Sequence, residues 1–110
     1  MAEPVKYEAI FCAVNAGFSD LVMFAARRAG ARGATIIKGR GTTSIEAEKE
    51  FDITIQPEKE VVMMLVPEEV KDNVLRSIYT TCGLESDANG IAFSLPVTKA
   101  VGLTDFAKTE

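Results

Sequence analysis

The residues of this chain with the clearest chemical potential are a few cations and glycines around position 40. Gly39-Arg40-Gly41 combines two glycines, which let the backbone approach a ligand closely, with a guanidinium that can hold a phosphate or carboxylate through paired hydrogen bonds. Lys38 adds a second positive charge, and Asn89-Gly90 is another candidate anion-binding loop. Because glycine also marks ordinary turns, spacing alone leaves a simple flexible connection open at both places.

Histidine and tryptophan are absent from the sequence. This excludes Ser-His and Cys-His nucleophilic pairs, histidine-based zinc sites and an imidazole general base within this chain. A small hydrolase built on carboxylates such as Glu85 and Asp87 remains an alternative, but no acid and base form a recognisable pair by spacing. We therefore expect that the protein catalyses no reaction.

The two cysteines, Cys12 and Cys82, lack the paired spacing of a metal site. Free cysteine is usually a small buried residue, so we expect both thiols in the core. A disulfide or a reactive thiol remains the alternative.

Length and charge restrict the class of protein. The chain has 110 residues, of which 47% are hydrophobic, and a formal net charge of −4. These values predict one soluble globular domain and argue against nucleic acid as a partner. The N-terminal residues do not resemble a secretion signal, and the longest apolar run, Val61–Val66, is far shorter than the ~20 residues of a membrane span. We expect a cytoplasmic protein without membrane insertion.

Hydrophobic periodicity and capping signals predict six main elements. The predicted strands are Val5–Val14, Ala34–Lys38, Val61–Val66 and Ile91–Val97. The first predicted helix is Ser19–Ala29, which is capped by Ser19 or Asp20 and followed by Gly30. The second predicted helix begins at Pro67 and ends at Gly83. The connections are predicted as a loop over Gly39–Glu50, a short edge strand over Phe51–Ile55, a turn over Gln56–Lys59, a polar loop over Glu85–Gly90 and a short strand over Ala100–Leu103.

This order predicts an α+β, ferredoxin-like βαββαβ sandwich: a four-stranded antiparallel sheet with both helices on one face. The first strand carries Ile10, Cys12 and Val14 on one side and other apolar residues on the opposite side, and Val61–Val66 has no polar side. An apolar open face is unusual in a monomer. We expect it to pack against further copies in a closed ring; the alternative is that the C-terminal tail folds over it.

Several ferredoxin-like functions lack their residues here. An acylphosphatase-like enzyme needs an arginine in the loop after the first strand, where this chain has Asn15-Ala16-Gly17-Phe18. A metallochaperone needs a CxxC motif there, and an RNA-recognition module needs exposed aromatic residues on a basic sheet. The sequence therefore argues against all three.

The chain resembles the PII signalling family over roughly Val5 to Leu103. Ile37–Gly41 is similar to the segment that enters the family's T-loop, and Val61–Pro67 is similar to its strand and proline before the second helix. Ala88–Phe93 is similar to the B-loop that leads into its last strand. The resemblance assigns residues 1–110 to one domain, with residues 39–50 as the T-loop equivalent, 83–90 as the B-loop equivalent and 98–110 as the C-terminal segment.

The resemblance implies a homotrimer that binds ADP or ATP as an effector in clefts between subunits. It implies no tightly bound cofactor and leaves open whether magnesium is needed. Adenine would lie near Gly33, Thr35, Met63 and Leu65, and the phosphates would lie near the two loops. The implied nucleotide-binding residues are Gly33, Thr35, Lys38, Gly39, Arg40, Gly41, Gln56, Lys59, Met63, Leu65, Asn89, Gly90 and Ile91.

The chain departs from the classical pattern at several positions. Ile91 stands where the classical B-loop has lysine, Thr43 stands where the family has the glutamine of the 2-oxoglutarate–magnesium site, and the T-loop equivalent is short and contains no tyrosine. These departures argue against uridylylation and 2-oxoglutarate sensing. They indicate a divergent PII-like regulator. In such a protein the positive charge that binds the phosphates of the nucleotide would come from Lys38, Arg40 or Lys59.

As a PII-like signal-transduction protein, the chain would regulate a transporter or a metabolic enzyme through a nucleotide-ordered loop. The alternative from another class is a CutA-like trimer that binds a divalent metal. Without histidine it would depend on Cys12, Cys82 and carboxylates, which suit few metals. A second effector, such as bicarbonate, a polyamine or an amino acid, remains open.

Overall fold

A computed structural model of the chain describes residues 5–42, 57–83 and 85–102. The predicted edge strand Phe51–Ile55, most of the Gly39–Glu50 segment, and residues Gln56 and Leu103 lie outside these ranges. The elements in chain order are β1 (Tyr7–Asn15), α1 (Ser19–Arg28), β2 (Thr35–Arg40), β3 (Glu58–Pro67), α2 (Glu68–Cys82) and β4 (Ile91–Val97).

The four strands form one sheet in the order β2-β3-β1-β4, and every neighbouring pair is antiparallel. This is the predicted ferredoxin-like βαββαβ arrangement, which is therefore confirmed. It places the two strands that follow directly on helices, β2 and β4, at the edges, and it places β1 and β3 side by side at the centre.

One core lies between the sheet and the helices. Alternate residues of the central strands, including Ile10, Val14 and Val62, are fully buried against Val22 of α1 and Ile78 of α2. Alternation along a strand sends every second side chain to the same face, so the residues between them form the other face. Each fully buried aliphatic side chain of this kind stabilises the fold by about 1.5–3 kcal/mol.

Two predicted connections are wrong, because the strands are longer than the sequence pattern indicated. Gly39 and Arg40 belong to β2 rather than to a loop, and Glu58 and Lys59 belong to β3 rather than to a turn. The antiparallel ladder continues through the pairs Gly39–Lys59 and Arg40–Glu58. Backbone pairing between the two strands overrides the turn preference of the polar residues.

The predicted cap of α1 is also wrong. The helix begins at Ser19 after Phe18, and no side chain caps it from the N-cap position. The predicted glycine at its other end is confirmed, since Gly30 has a φ of 119°, a conformation that favours glycine.

The predicted strand over Ala100–Leu103 is wrong in its described part, because residues 100–102 are not in a strand.

Within the described ranges, neither helix combines the length and the apolar character that crossing a lipid bilayer requires.

Candidate functional site

A cavity of about 430 Å³ lies at the end of the sheet where β2 stops and β3 begins. This volume is in the range of roughly 300–1,000 Å³ that is typical of small-molecule sites. Its lining combines three cations, two carboxylates and two small residues: Lys38, Arg40, Lys59, Glu58, Glu60, Ala16 and Gly39. The structure thus brings together four of the residues that the resemblance implied for nucleotide binding, namely Lys38, Gly39, Arg40 and Lys59.

The lining comes from both sides of the sheet. Lys38 pairs with Glu60 across β2 and β3, and Arg40 pairs with Glu58, so these four side chains project on the face that carries the helices. Gly39 pairs with Lys59, which projects on the opposite face. Gly41 follows directly, and its N–H donates a 2.8 Å hydrogen bond to the carbonyl of Pro57. This bond is the last one described between the two segments that flank residues 43–56.

Lys59 is connected to the loop before β4. Its Nζ donates a 2.7 Å hydrogen bond to Asn15 Oδ1, and Asn15 Nδ2 donates one of 3.0 Å to the carbonyl of Asp87. The backbone N–H of Asn15 donates a further 2.9 Å bond to the carbonyl of Ala88. Asn15 thus joins the base of the β2–β3 connection to the loop that the resemblance identifies as the B-loop equivalent.

The side chain of Glu60, which lies on β3, accepts hydrogen bonds from the backbone at the start of α1. Its Oε1 accepts hydrogen bonds from the backbone N–H groups of Gly17, at 2.9 Å, and of Ser19, at 3.3 Å. These bonds, with a smaller contribution from the positive charge of Lys38, hold the pKa of Glu60 below its ordinary value. The loop where an acylphosphatase would bind an anion is therefore occupied by a carboxylate of the chain itself.

The loop before β4 depends on Gly90. Its N–H donates a 2.7 Å hydrogen bond to the carbonyl of Cys82, and a side chain at this position would meet that carbonyl and the side chain of Val14. Asn89 has a φ of 50°, which asparagine tolerates better than most residues. Ile91 begins β4 and is 58% exposed. The residue at this end of the loop is therefore apolar and contributes no positive charge.

The residues implied for adenine lie on the open face of the sheet. Thr35 pairs with Met63, and Leu65 lies two residues further along β3 on the same face. Gly33 precedes β2 and is exposed. None of these four residues lines the cavity that contains Lys38 and Arg40. Within one chain, Thr35, Met63 and Leu65 therefore project on the face opposite to Lys38 and Arg40. Lys59 also lines the cavity, but it projects on the open face.

The open face is apolar across the sheet. Phe11 stacks on Phe93 across β1 and β4, with ring centroids 5.3 Å apart. Phe93 and Leu95 are each 52% exposed. The sequence prediction of two apolar faces on β1 is confirmed, because Ile10, Cys12 and Val14 are buried while Tyr7, Ala9, Phe11 and Ala13 lie on the open side.

Both cysteines are free and buried in the core, as predicted. Burial, with a smaller effect of the neighbouring Cys82, raises the pKa of Cys12 to about 12, so its thiolate form is strongly disfavoured. Among the described residues, no group of three or more histidine, cysteine, aspartate or glutamate side chains is arranged to hold a metal ion. The CutA-like alternative therefore finds no support at these thiols.

Sequence reasoning missed Asn15 and Glu60 as part of the site, whereas Glu58 was a candidate ligand contact with an ordinary turn as the alternative, and it lines the cavity. The sequence pattern indicated only the end of a strand at Asn15, and the relation between residues 15 and 59 depends on the β1–β3 register. Gln56, one of the implied nucleotide contacts, lies outside the described residues.

No family model matches the chain, and no curated protein matches it in sequence. Solved structures do match it. PII from Arabidopsis thaliana bound to citrate has a TM-score of 0.68 and 19% identity, over 91% of this chain and 85% of that one. CPII from Thiomonas intermedia K12, a nitrogen regulatory PII-like protein bound to ADP, AMP and bicarbonate, has a TM-score of 0.60 and 16% identity, over 87% of this chain and 97% of that one.

A protein from Bacillus cereus related to NIF3 is similar as well, with a TM-score of 0.68 and 13% identity. The match covers 89% of this chain but only 27% of the Bacillus cereus protein. The two PII structures, by contrast, are matched over most of their length. The chain therefore has the ferredoxin-like fold of the PII proteins.

Proposed function

We propose that the protein is a PII-like regulator that binds an adenine nucleotide between the subunits of a homotrimer and catalyses no reaction. The observation that carries this proposal is the cluster of Lys38, Arg40 and Lys59 around one cavity at the base of the β2–β3 connection. On a chain with a net charge of −4, this is a local concentration of cations suited to phosphate.

The trimer is supported by the open face. Phe11, Phe93 and Leu95 form a contiguous apolar surface on the side of the sheet that the helices leave uncovered. Apolar surfaces of this kind usually mark contacts with other proteins. Packing three such faces together would bury them and would bring Thr35, Met63 and Leu65 of one subunit towards the loops of a neighbour. This arrangement would bring the implied adenine contacts of one subunit close to the implied phosphate contacts of another.

Two solved structures of similar fold were determined with adenine nucleotides: the Thiomonas intermedia protein with ADP and AMP, and GlnK from Bacillus subtilis with ATP. They support this class of ligand for the present chain. The site residues proposed here are those that the resemblance implied, joined by Asn15 as the link between Lys59 and the loop before β4.

In the proposed mechanism the nucleotide changes the population of one loop conformation. Gly41 and Thr42 follow β2 beside the cavity and lead into the proposed loop, so phosphate bound there would favour loop conformations that keep Arg40 in contact with it. A nucleotide present at 100 times its dissociation constant contributes about 2.7 kcal/mol to the bound form. The ordered loop would then bind a partner, either a transporter or a metabolic enzyme.

Calorimetry on the purified protein tests the proposal, together with light scattering at the same concentration. We expect a trimer that releases or absorbs heat on titration with ADP, ATP or AMP, and no heat with the matching guanine nucleotides. A folded trimer that binds none of the adenine nucleotides would refute nucleotide sensing. Titration with Zn²⁺ and Cu²⁺ in the same buffer tests the CutA-like alternative.

A further inference from the structure

The cations of the cavity are accompanied by carboxylates of the same chain. Three positive side chains and two negative ones line it, so the net charge of the lining is only +1. Lys38 lies directly opposite Glu60 across β2 and β3, and Arg40 lies directly opposite Glu58. A large share of the positive potential is therefore balanced before any ligand arrives.

The neighbouring groups add little positive charge. Lys59 already donates to Asn15, and the backbone N–H groups at the start of α1 already donate to Glu60. Ile91 occupies the end of the loop that Asn15 holds, and Asp87 lies in the same loop. Among these described residues, Lys59 and the backbone N–H groups that could bind a long phosphate chain thus already donate hydrogen bonds within the protein, and Ile91 supplies no cation.

We propose that the cavity is matched to a nucleotide with a single phosphate, AMP in preference to ATP. This inference rests on the proposed function, because it takes the site to bind an adenine nucleotide. A phosphate monoester carries about two negative charges at neutral pH, and each further phosphate adds at least one more. Among the described residues that line the cavity, no further cation is present to offset the additional phosphates of ATP beside Glu58, so affinity falls as the phosphate chain grows.

The test is calorimetry with AMP, ADP and ATP in EDTA at fixed ionic strength, so that metal does not neutralise the longer chains. We expect AMP to bind about tenfold more tightly than ATP, with ADP between them. Binding of ATP as tight as that of AMP, or tighter, overturns this inference and leaves the proposed function intact. Absence of binding by all three overturns both.

A charge variant tests the cause of the preference. Glu58→Gln removes one exposed carboxylate from the cavity lining, and we expect it to reduce the preference for AMP over ATP by about threefold to tenfold. Asp72→Asn is the matched control, because it changes the net charge equally at an exposed position on α2. An equal effect of both variants, or no effect of Glu58→Gln, would show that Glu58 does not set the preference.

Discussion

Lys59 Nζ donates a 2.7 Å hydrogen bond to Asn15 Oδ1, and the same asparagine amide donates to the carbonyl of Asp87. One side chain at the end of β1 thus connects the start of β3 with the loop between α2 and β4. Lys59 and Asp87, which this side chain connects, are 28 positions apart in the chain, and each of the two segments carries part of the proposed phosphate site.

Asn15→Ala removes both of these hydrogen bonds. We expect it to lower the free energy of unfolding by about 1–2 kcal/mol, because two partly exposed bonds are lost, and to weaken nucleotide binding as Lys59 loses its position. Chemical denaturation and calorimetry measure the two effects. Asn73→Ala, at an exposed position of α2, is the control. Unchanged nucleotide affinity in Asn15→Ala would mean that the link does not organise the site.

Glu60→Gln tests the hydrogen bonds that Glu60 of β3 accepts from the backbone at the start of α1. The folded-state pKa of Glu60 is below its ordinary value of 4.5, chiefly because Gly17 donates to it. Its ionised form therefore stabilises the fold above pH 4.5, and this stabilisation is lost as the pH falls through the lowered pKa. We expect Glu60→Gln to be less stable than the wild type at pH 7 and to approach it in strong acid.

The measurement for Glu60 is the free energy of unfolding in urea from pH 7 down to pH 2. Glu85→Gln, in an exposed loop, is the control and should track the wild type throughout. A stability difference between Glu60→Gln and the wild type that does not change with pH would contradict the assignment.

Phe93→Glu tests the open face as the subunit interface. It places a carboxylate beside Phe11 in the middle of the apolar surface, where burial of an unpaired charge costs several kcal/mol. We expect light scattering to show a trimer for the wild type and a monomer for the variant. Tyr79→Glu, at a 74% exposed position of α2, should remain trimeric. A monomeric wild type at micromolar concentration would rule out this use of the face.

Arg40→Ala tests the proposed phosphate contact. Loss of a charge-assisted hydrogen bond should weaken phosphate-bearing ligands by about 1–3 kcal/mol, measured by calorimetry. Arg76→Ala removes the same charge from an exposed position of α2 and should leave the affinity unchanged apart from a small general effect. Equal affinities for the wild type and Arg40→Ala would move the phosphate site away from this cavity.

Gly90→Ala tests how tightly the loop before β4 is packed. The added methyl group would meet the carbonyl of Cys82 and the side chain of Val14, so the loop must shift. We expect thermal denaturation to show a loss of about 1–3 kcal/mol, typical of overpacking. Gly33→Ala, which has nothing within 4 Å of the new methyl group, should be nearly neutral. Similar stability for the two variants would show that the loop adapts freely.

The sequence by itself determined the fold class. Alternating apolar residues in β1 and β4, the unbroken apolar run in β3 and the three- and four-residue spacing in the helices are local patterns, so they predicted the six elements in the correct order. The two-sided apolar character of β1 was also readable, because alternation assigns each residue to a face without any knowledge of neighbours.

Tertiary structure decided where the strands end and which groups share the site. Gly39, Arg40, Glu58 and Lys59 have the local character of loops and turns, and only pairing between β2 and β3 makes them strand. The register then sets Lys38 opposite Glu60 and Asn15 beside Lys59, relations between residues more than 20 positions apart. Local preference carries no information on such pairs, because their geometry is set by strand register and by packing across the whole sheet.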